Sequence, residues 1–474
     1  MTERFGATSS HAAEPYSPQR RTALVLTGVG TAGAYHAGAL RALQEAGVKI
    51  DVVAGRGIGA IGALFVAIDG AARLWDEKGF WRSPAMPLLY RWRSAPRVVA
   101  VAVLISIAIL AIPITAVALG LVVFPIDFVL KIVGLGGAGG LMTAYVHLAE
   151  SAFAPAGLPT WLPRFVLLVL ASAAIVAIVD GWRRDPRRPR GAVWWRALRA
   201  PLSADSVVEH TWRVMWDLVR GAAQLKQPSA NELARRYIEV VSENLGQPGF
   251  RELVIAAHDI DAHRDLVFAL VSEGRRRDLI RRATTAAAET RRAEVLDLAG
   301  TAREHLADAV AASAAIPLAS EPHVVTFAPD SYWRGETHRL CDRPGTLIRL
   351  IDELIDLGVQ QILVVASAPE SAGPHALRAP RVDVHGRIGE YLESSEAAIL
   401  RDATTTTAGV RIYTIRPVHN SIGPLDFAGS FDDRSHREQS LAELMSLGYE
   451  DAYRQFIEPV VGASGERVGA VQRG

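Results

Sequence analysis

The sequence predicts an α/β domain that is interrupted by an inserted two-helix transmembrane hairpin. Two short apolar runs are each followed by a glycine-rich turn and then by a helical stretch, the pattern of parallel strands that lead into helices. Residues 98–126 form a run of 29 uncharged residues, which is longer than the about 20 residues that a helix needs to cross a bilayer core. The α/β domain is therefore expected in two pieces, one on each side of the insertion.

The first predicted strand, residues 23–26, leads into a loop that contains Gly28, Gly30 and Gly33. A helix is predicted to follow over residues 34–46. Backbone N–H groups at the start of a helix have no partners inside the helix, and they suit a bound oxyanion or phosphate. This loop is a candidate anion-binding site.

The second predicted strand, residues 49–54, is followed by Gly55, Arg56, Gly57, Ile58 and Gly59 and then by a helix over residues 60–68. A strand, a turn of pattern G-x-S-x-G and a helix form a nucleophile elbow, in which the turn lifts a serine hydroxyl into a cleft. Gly57 stands at the serine position and has no side chain that could attack. Arg56 is a second candidate for binding an anion, because arginine pairs with carboxylate or phosphate through two N–H groups.

These two loops, with the segments ASAAIP (312–317) and SYWRGE (331–336), resemble the patatin-like phospholipase family. The resemblance implies a patatin-like three-layer α/β/α domain that hydrolyses lipid acyl esters with a Ser–Asp dyad and no histidine. In the family the oxyanion loop has the pattern G-G-G-x-R-G, and the dyad aspartate lies in D-G-G or D-G-A. Here Val29 and Ala32 replace a glycine and the arginine of that loop, Gly57 replaces the serine, and Arg334 stands at the implied aspartate position.

Three departures at chemically required positions predict a fold that is kept without its chemistry. The expected function is that of a membrane-anchored, catalytically impaired lipid- or acyl-binding or regulatory protein of lipid metabolism. An active lipid acyl hydrolase is the alternative, in which another residue supplies the nucleophile.

A second alternative is a Rossmann protein that binds NADP. Gly28, Gly30 and Gly33 also satisfy G-x-G-x-x-G between a strand and a helix. The second strand ends without the acidic residue that holds a ribose hydroxyl, but Arg56 could take the 2′-phosphate of NADP. A second glycine-rich turn after strand two has no role in such a unit, which favours the first interpretation.

The inserted segment contains a second apolar run, residues 165–179, flanked by Trp161 and Trp182 as in an aromatic belt. Arg91, Arg93 and Arg97 precede the first run, and five arginines between residues 183 and 190 follow the second. The positive-inside rule then places both flanks, the α/β domain and both termini in the cytosol. The predicted partners are membrane lipids, and a protein partner stays open.

The charges nearly cancel, with 51 Lys and Arg against 50 Asp and Glu, which argues against a nucleic-acid partner. The histidines lack metal-ligand spacing, the single cysteine, Cys341, has no disulfide partner, and no metal or cofactor is expected. The predicted division of the chain is a disordered tail (1–20), the first part of the α/β domain (21–92), the membrane hairpin (93–190), a helical connector (191–248), the second part of the α/β domain (249–461) and a flexible tail (462–474).

Overall fold

The computed structural model describes residues 16–134, 140–184, 200–223, 225–280, 293–329, 331, 333–370, 384–406, 409–418, 422–423, 425–432 and 435–462. The chain forms two compact units. One runs to Arg91 and resumes at Ser203, and the other is Trp92–Leu202. Most of the two predicted tails lies outside the described residues. Tyr16, from the predicted N-terminal tail, is buried, and its hydroxyl donates to the Lys49 carbonyl at 3.0 Å.

The first unit is built on a nine-stranded sheet. Its strands are β1 Thr22–Leu26, β2 Val52–Gly55, β5 Glu252–Asp259, β6 Arg264–Leu270, β7 Ala293–Asp297, β8 His323–Thr326, β9 Thr337–Cys341, β10 Gln361–Val365 and β11 Arg411–Ile415. Two small strand pairs are β3 Arg91–Trp92 with β4 Leu202–Ser203, and β12 Gly429–Asp432 with β13 Arg437–Ser440. The spatial order is β11-β10-β1-β2-β5-β6-β7, and β9 pairs with both β5 and β8. The strands from β11 to β5 in this order are parallel.

The helices of this unit are α1 Ala32–Glu45, α2 Gly59–Val66, α3 Ala72–Trp75, α7 Asp205–Val219, α8 Ala230–Asn244, α9 Glu273–Ile280, α10 Leu306–Ala314, α11 Thr346–Asp356, α12 Val384–Thr406 and α13 Leu441–Ala452, which continues as a π-helix, Tyr453–Val461. Ala23 and Val25 of β1 join a core with leucines of α11 and α12. Leu26 points to the opposite face, where it contacts Gly62 of α2. Helices therefore cover both faces of the sheet, which confirms the predicted α/β class.

The alanine-rich stretch 286–315 favours a helix by composition, but its described part is helical only in a short 3-10 turn, Arg303–His305, and in α10. Residues 293–297 form strand β7 beside β6. Val295 and Leu296 are buried in the sheet. Pairing with a neighbouring strand overrides a local preference for helix, because propensity differences are small beside the burial that a sheet provides.

The second unit contains α4 Ser94–Ile132, α5 Gly140–Phe153 and α6 Leu158–Arg184. Two segments, Pro96–Ile132 and Leu158–Val179, are long and apolar enough to cross a membrane, a weak criterion based on length and composition. Pro113 and Pro125 lie inside α4. The two ends of the unit are adjacent, because the Arg93 amide donates to the Pro201 carbonyl at 2.9 Å. The arginines of 185–190 lie outside the described residues.

Candidate functional site

The turn between β2 and α2 has the backbone of a nucleophile elbow. Gly57 adopts a φ of 57°, the left-handed conformation that costs glycine little and other residues more. A Cβ at Gly59 would lie 2.1 Å from the Leu26 carbonyl oxygen, so the chain passes too closely there for any side chain. The glycines at 57 and 59 are thus required by the path of the backbone.

The position of the missing nucleophile is occupied by another part of the chain. A Cβ at Gly57 would lie 2.1 Å from the carbonyl oxygen of Gly28 and 3.2 Å from Oδ2 of Asp342. The Gly28 carbonyl is held in place because it accepts a hydrogen bond from the Ile58 amide at 2.9 Å. Real Cβ atoms essentially never approach other atoms this closely, so a serine at 57 needs a shift of the Gly28 loop.

The loop after β1 is buried along its length. Gly28 and Gly30 have φ values of 146° and 59°, which only glycine adopts readily. Gly33 faces the ring of Trp81, since a Cβ at Gly33 would lie 2.0 Å from its Cζ2 atom. The predicted glycine loop between β1 and α1 is therefore present, and Trp81 packs against its helical end, while anion binding by the loop stays a prediction.

Asp342 reaches the elbow because of the way β9 pairs with β5. β5 is longer than β2, and β9 pairs antiparallel with the end of β5 that β2 leaves free, with Cys341 opposite His258. The residue after β9 therefore lies just beyond the end of β2, beside Gly57. The Asp342 amide donates to the Ala315 carbonyl at 3.0 Å and fixes this position.

The assignment of the dyad aspartate to Arg334 is wrong. Arg334 lies in the exposed turn between β8 and β9 with a φ of 46°. Strand β9, five residues long and so about 13 Å from end to end, separates this turn from Asp342. The sequence signal that would have found Asp342 is the apolar end of a strand, Leu340 and Cys341, followed directly by a carboxylate.

Arg56 is fully buried and is paired with two carboxylates of the chain itself. Its Nε and Nη2 atoms donate to Oδ1 and Oδ2 of Asp342 at 3.0 and 2.8 Å, the bidentate geometry that arginine forms with carboxylates. Its Nη1 donates to the Thr27 hydroxyl at 2.8 Å and lies 3.4 Å from Oε1 of Glu396. Burial acts to lower the pKa of Arg56, but the charges of Asp342 and Glu396 outweigh it and raise that pKa.

Two further groups complete this polar cluster, which we define as Thr27, His36, Arg56, Asp342 and Glu396. The Thr27 hydroxyl donates to Oε1 of Glu396 at 3.1 Å, and Nε2 of His36 donates to the Thr27 carbonyl at 3.1 Å. All five residues are at most 4% exposed. Burial lowers the pKa of His36 to about 4, so the ring is neutral at physiological pH. One arginine against two carboxylates gives the cluster no spare positive charge for an anionic ligand.

Tyr90 and Cys341, which lie near Asp342, are both buried. The Tyr90 hydroxyl donates to the Ala314 carbonyl at 2.9 Å, and its ring stacks on Phe427 at 4.6 Å. Burial raises the pKa of Tyr90, and the charge of Asp342 adds to this effect. The Cys341 thiol is also no nucleophile, because burial raises its pKa to about 12. Within the described parts of the chain, no three His, Cys, Asp or Glu side chains form a group that could hold a metal ion.

Residues 24–112 match the family model described as patatin-like phospholipase. The resemblance to this family is confirmed. The matched stretch contains both glycine loops of the patatin-like domain but less than half of the chain. The crystal structure of VipD from Legionella pneumophila is similar at 13% identity, over 98% of this chain and 72% of that chain, with a TM-score of 0.30. No curated protein matches the sequence.

The Rossmann alternative has no support in this geometry. It needs Arg56 to face a 2′-phosphate of NADP, but the guanidinium of Arg56 is buried and bound to Asp342 and Glu396. The second glycine turn also forms an elbow, which a dinucleotide site does not use. The glycine loops of this domain thus belong to the patatin-like pattern.

Proposed function

We propose that this protein is a membrane-anchored patatin-like protein that binds lipid or acyl groups and does not hydrolyse their esters. The observation that carries the proposal is at residue 57. The elbow is kept, Gly57 offers no nucleophile, and the Gly28 carbonyl occupies the space where a serine side chain would begin. The match to the patatin-like family supports the link to lipid metabolism.

The pairing of Asp342 supports the absence of hydrolysis. A serine nucleophile needs a neighbouring base that takes its proton. In this site the hydroxyl is missing, and both carboxylate oxygens of Asp342 already accept hydrogen bonds from the buried Arg56. A serine restored at position 57 would therefore still lack a free base, because Asp342 stays bound to Arg56. Catalytic groups that act as a unit give little activity when only one of them is present.

The backbone amides of the Gly28 to Gly33 loop support retained binding. The loop ends at the N-terminus of α1, a 14-residue helix, where partial positive charge favours a carbonyl or carboxylate oxygen. Because the cluster beneath it holds one cation and two anions, an uncharged ester or acyl carbonyl fits this surrounding better than a phosphate.

A fluorophosphonate label on the full chain in vesicles tests the absence of hydrolysis, since the reagent reacts only with an activated nucleophile. We expect no labelling and no ester turnover in the wild type. The Ser367 hydroxyl lies beside Gly28 and is the nearest serine to test as a nucleophile. Labelling of the wild type that is lost in Ser367→Ala would contradict the proposal. Labelling that is unaffected by this substitution would also contradict it and would favour the hydrolase alternative.

A photoreactive fatty acid or phospholipid tests binding. We expect cross-links on peptides that contain Gly28 to Gly33 or Asp342, in addition to those on the apolar helices α4 and α6. Cross-links confined to α4 and α6 would show membrane lipid only and would contradict binding at the domain.

Alkaline carbonate extraction and a reporter fused after residue 155 test the membrane anchoring. The hairpin predicts that the protein stays with the membrane and that the reporter lies on the far side. Two observations support this topology, the apolar segments Pro96–Ile132 and Leu158–Val179 and the basic residues Arg91, Arg93 and Arg97 before the first of them. A soluble protein or a cytosolic reporter would contradict the anchoring.

A further inference from the structure

Helix α4 is much longer than a bilayer crossing requires. Its apolar segment Pro96–Ile132 has 37 residues, which extend about 55 Å at 1.5 Å per residue, whereas a bilayer core is about 30 Å thick. The partner segment Leu158–Val179 has 22 residues, about 33 Å, which matches the core. The last part of α4 is therefore surplus to a single perpendicular crossing of the core.

This surplus part of α4 is apolar and exposed within its unit. Leu121, Phe128 and Ile132 are 72%, 65% and 69% exposed. Its ion pair, Asp127 with Lys131 at 2.6 Å, lies about 45 Å along the helix from Arg97, a length that matches the whole bilayer with both of its headgroup layers. A contiguous apolar surface of this size is rarely exposed to water, so the end of α4 needs an apolar partner.

Helix α5 contacts α4 where the surplus part begins. The Tyr145 hydroxyl donates to the Ala116 carbonyl at 2.9 Å, and its ring packs edge-on to Phe124 at 6.0 Å. Gly120 allows this contact, since a Cβ there would lie 2.4 Å from the Tyr145 oxygen. Ala116 is about 28 Å along α4 from Arg97, the depth of the far interface.

The sequence of α5 has two faces. Thr143, His147, Glu150 and Ser151 follow the spacing i, i+4, i+7 and i+8, which places them on one side of the helix. Leu141, Tyr145, Leu148 and Ala152 follow the spacing i, i+4, i+7 and i+11 on the other side. Tyr145 contacts α4, while Leu141 and Leu148 are 54% and 59% exposed.

We infer that residues 120–132 and 140–153 form a far-side cap, an interfacial helical pair that lies in the lipid of the far leaflet. Its apolar side chains contact acyl chains, and the Thr143, His147, Glu150 and Ser151 face contacts water and headgroups, as in other amphipathic interfacial helices. The inference rests on the membrane anchoring proposed above. The cap fixes the depth of the hairpin. Moving α4 towards the cytosol would draw the polar face of α5 into the acyl chains, and moving it outwards would expose the apolar face to water.

Single cysteines test the inference in a background of Cys341→Ala, which removes the one native thiol. Leu148→Cys and Glu150→Cys lie two residues apart, and both positions are exposed within the protein. Only lipid can therefore make them differ. With a membrane-impermeant maleimide added from the far side, we expect Glu150→Cys to react and Leu148→Cys to react at least about tenfold more slowly until detergent is added.

Each other outcome has a distinct meaning. Equal, rapid labelling of both positions from the far side would overturn the cap and leave the hairpin intact. Protection of both would overturn the interfacial position and place α5 inside the core. Labelling of both from the cytosolic side would mean that the anchoring itself fails. As a second measurement, bimane at position 148 should be quenched by nitroxide lipids more than bimane at position 150, and the reverse order would overturn the inference.

Discussion

The two units of this protein bury their side chains in different ways. In the α/β unit the apolar residues lie in a core between sheet and helices, and the buried charges at the elbow are paired with each other. In the unit Trp92–Leu202 the helices expose most of their apolar residues, and the exposed ones include Ile107 and Leu110 in the middle of α4. An exposed leucine on a surface is ordinary, but a continuous apolar helix is not. One unit thus buries its own apolar surface, whereas the other leaves apolar helices exposed, which supports the membrane anchoring proposed above.

The largest expected effect tests whether the α/β unit depends on internal pairing of its charges. Arg56→Ala removes the only cation of the polar cluster and leaves Asp342 and Glu396 buried. We expect a loss of about 3–5 kcal/mol in the free energy of unfolding, because uncompensated buried charges are strongly destabilising. Denaturant unfolding of the full chain in detergent measures this loss.

The control for this prediction is Arg334→Ala. Arg334 lies in an exposed turn, and surface substitutions usually change stability by less than about 0.5 kcal/mol. Equal losses for the two variants would show that the buried pairing of Arg56 is not what stabilises this region.

The second prediction compares two exposed apolar side chains, one from each unit. Ile107→Arg on α4 and Val240→Arg on α8 replace side chains that are 58% and 47% exposed. In a membrane the first should cost about 2.5–3.5 kcal/mol of insertion free energy, while the second, in water, should cost less than about 0.5 kcal/mol. The measurements are the membrane-inserted fraction for Ile107→Arg and denaturant unfolding for Val240→Arg. If Ile107→Arg inserts normally, the contrast between the units disappears.

The third prediction concerns pH and the neutral His36. Its folded pKa of about 4 lies below the ordinary value of 6.5, so the unfolded chain binds more protons between these values. This contribution to stability is fully present above pH 6.5 and is lost as the pH falls towards 4, by at most about 3 kcal/mol.

His36→Gln is the matched variant, because the amide keeps an N–H for the Thr27 carbonyl and does not titrate. Its unfolding free energy should fall less than that of the wild type between pH 6.5 and 4. Identical pH slopes for the two proteins would show that His36 is not buried as a neutral ring.

The smallest effect tests the close packing of the α/β unit at the crossing of α1 and α13. A Cβ at Gly38 would lie 1.8 Å from the Met445 carbonyl, and one at Gly448 would lie 2.1 Å from the Tyr35 carbonyl. Gly38→Ala should therefore destabilise by about 1–3 kcal/mol, the usual cost of overpacking.

The control is Gly274→Ala in α9, where nothing lies within 4 Å and alanine favours the helix by about 0.5–1 kcal/mol. Thermal unfolding of both variants should give shifts of opposite sign. A stabilising Gly38→Ala would contradict the close contact of the two helices.

Local sequence was sufficient to predict the elements with a strong pattern. The strand, glycine turn and helix of the elbow and the apolar segments of α4 and α6 follow from spacing and hydropathy, since these depend on neighbours within a few residues. Strand β7 does not follow from local sequence, because its alanine-rich surroundings favour a helix and only the pairing with β6 makes it a strand.

The sequence by itself determined that position 57 carries no nucleophile and that the inserted segment contains runs long and apolar enough to cross a membrane. Only the tertiary structure decided the partners of that position. Asp342 is 285 residues from Gly57 along the chain and reaches it because β9 pairs with the free end of β5. The same structure binds Arg56 to Asp342 and Glu396, although its neighbours in the sequence indicate an arginine free for a ligand. Contacts between residues that are distant in the chain are set by strand order and register, and no local pattern encodes those.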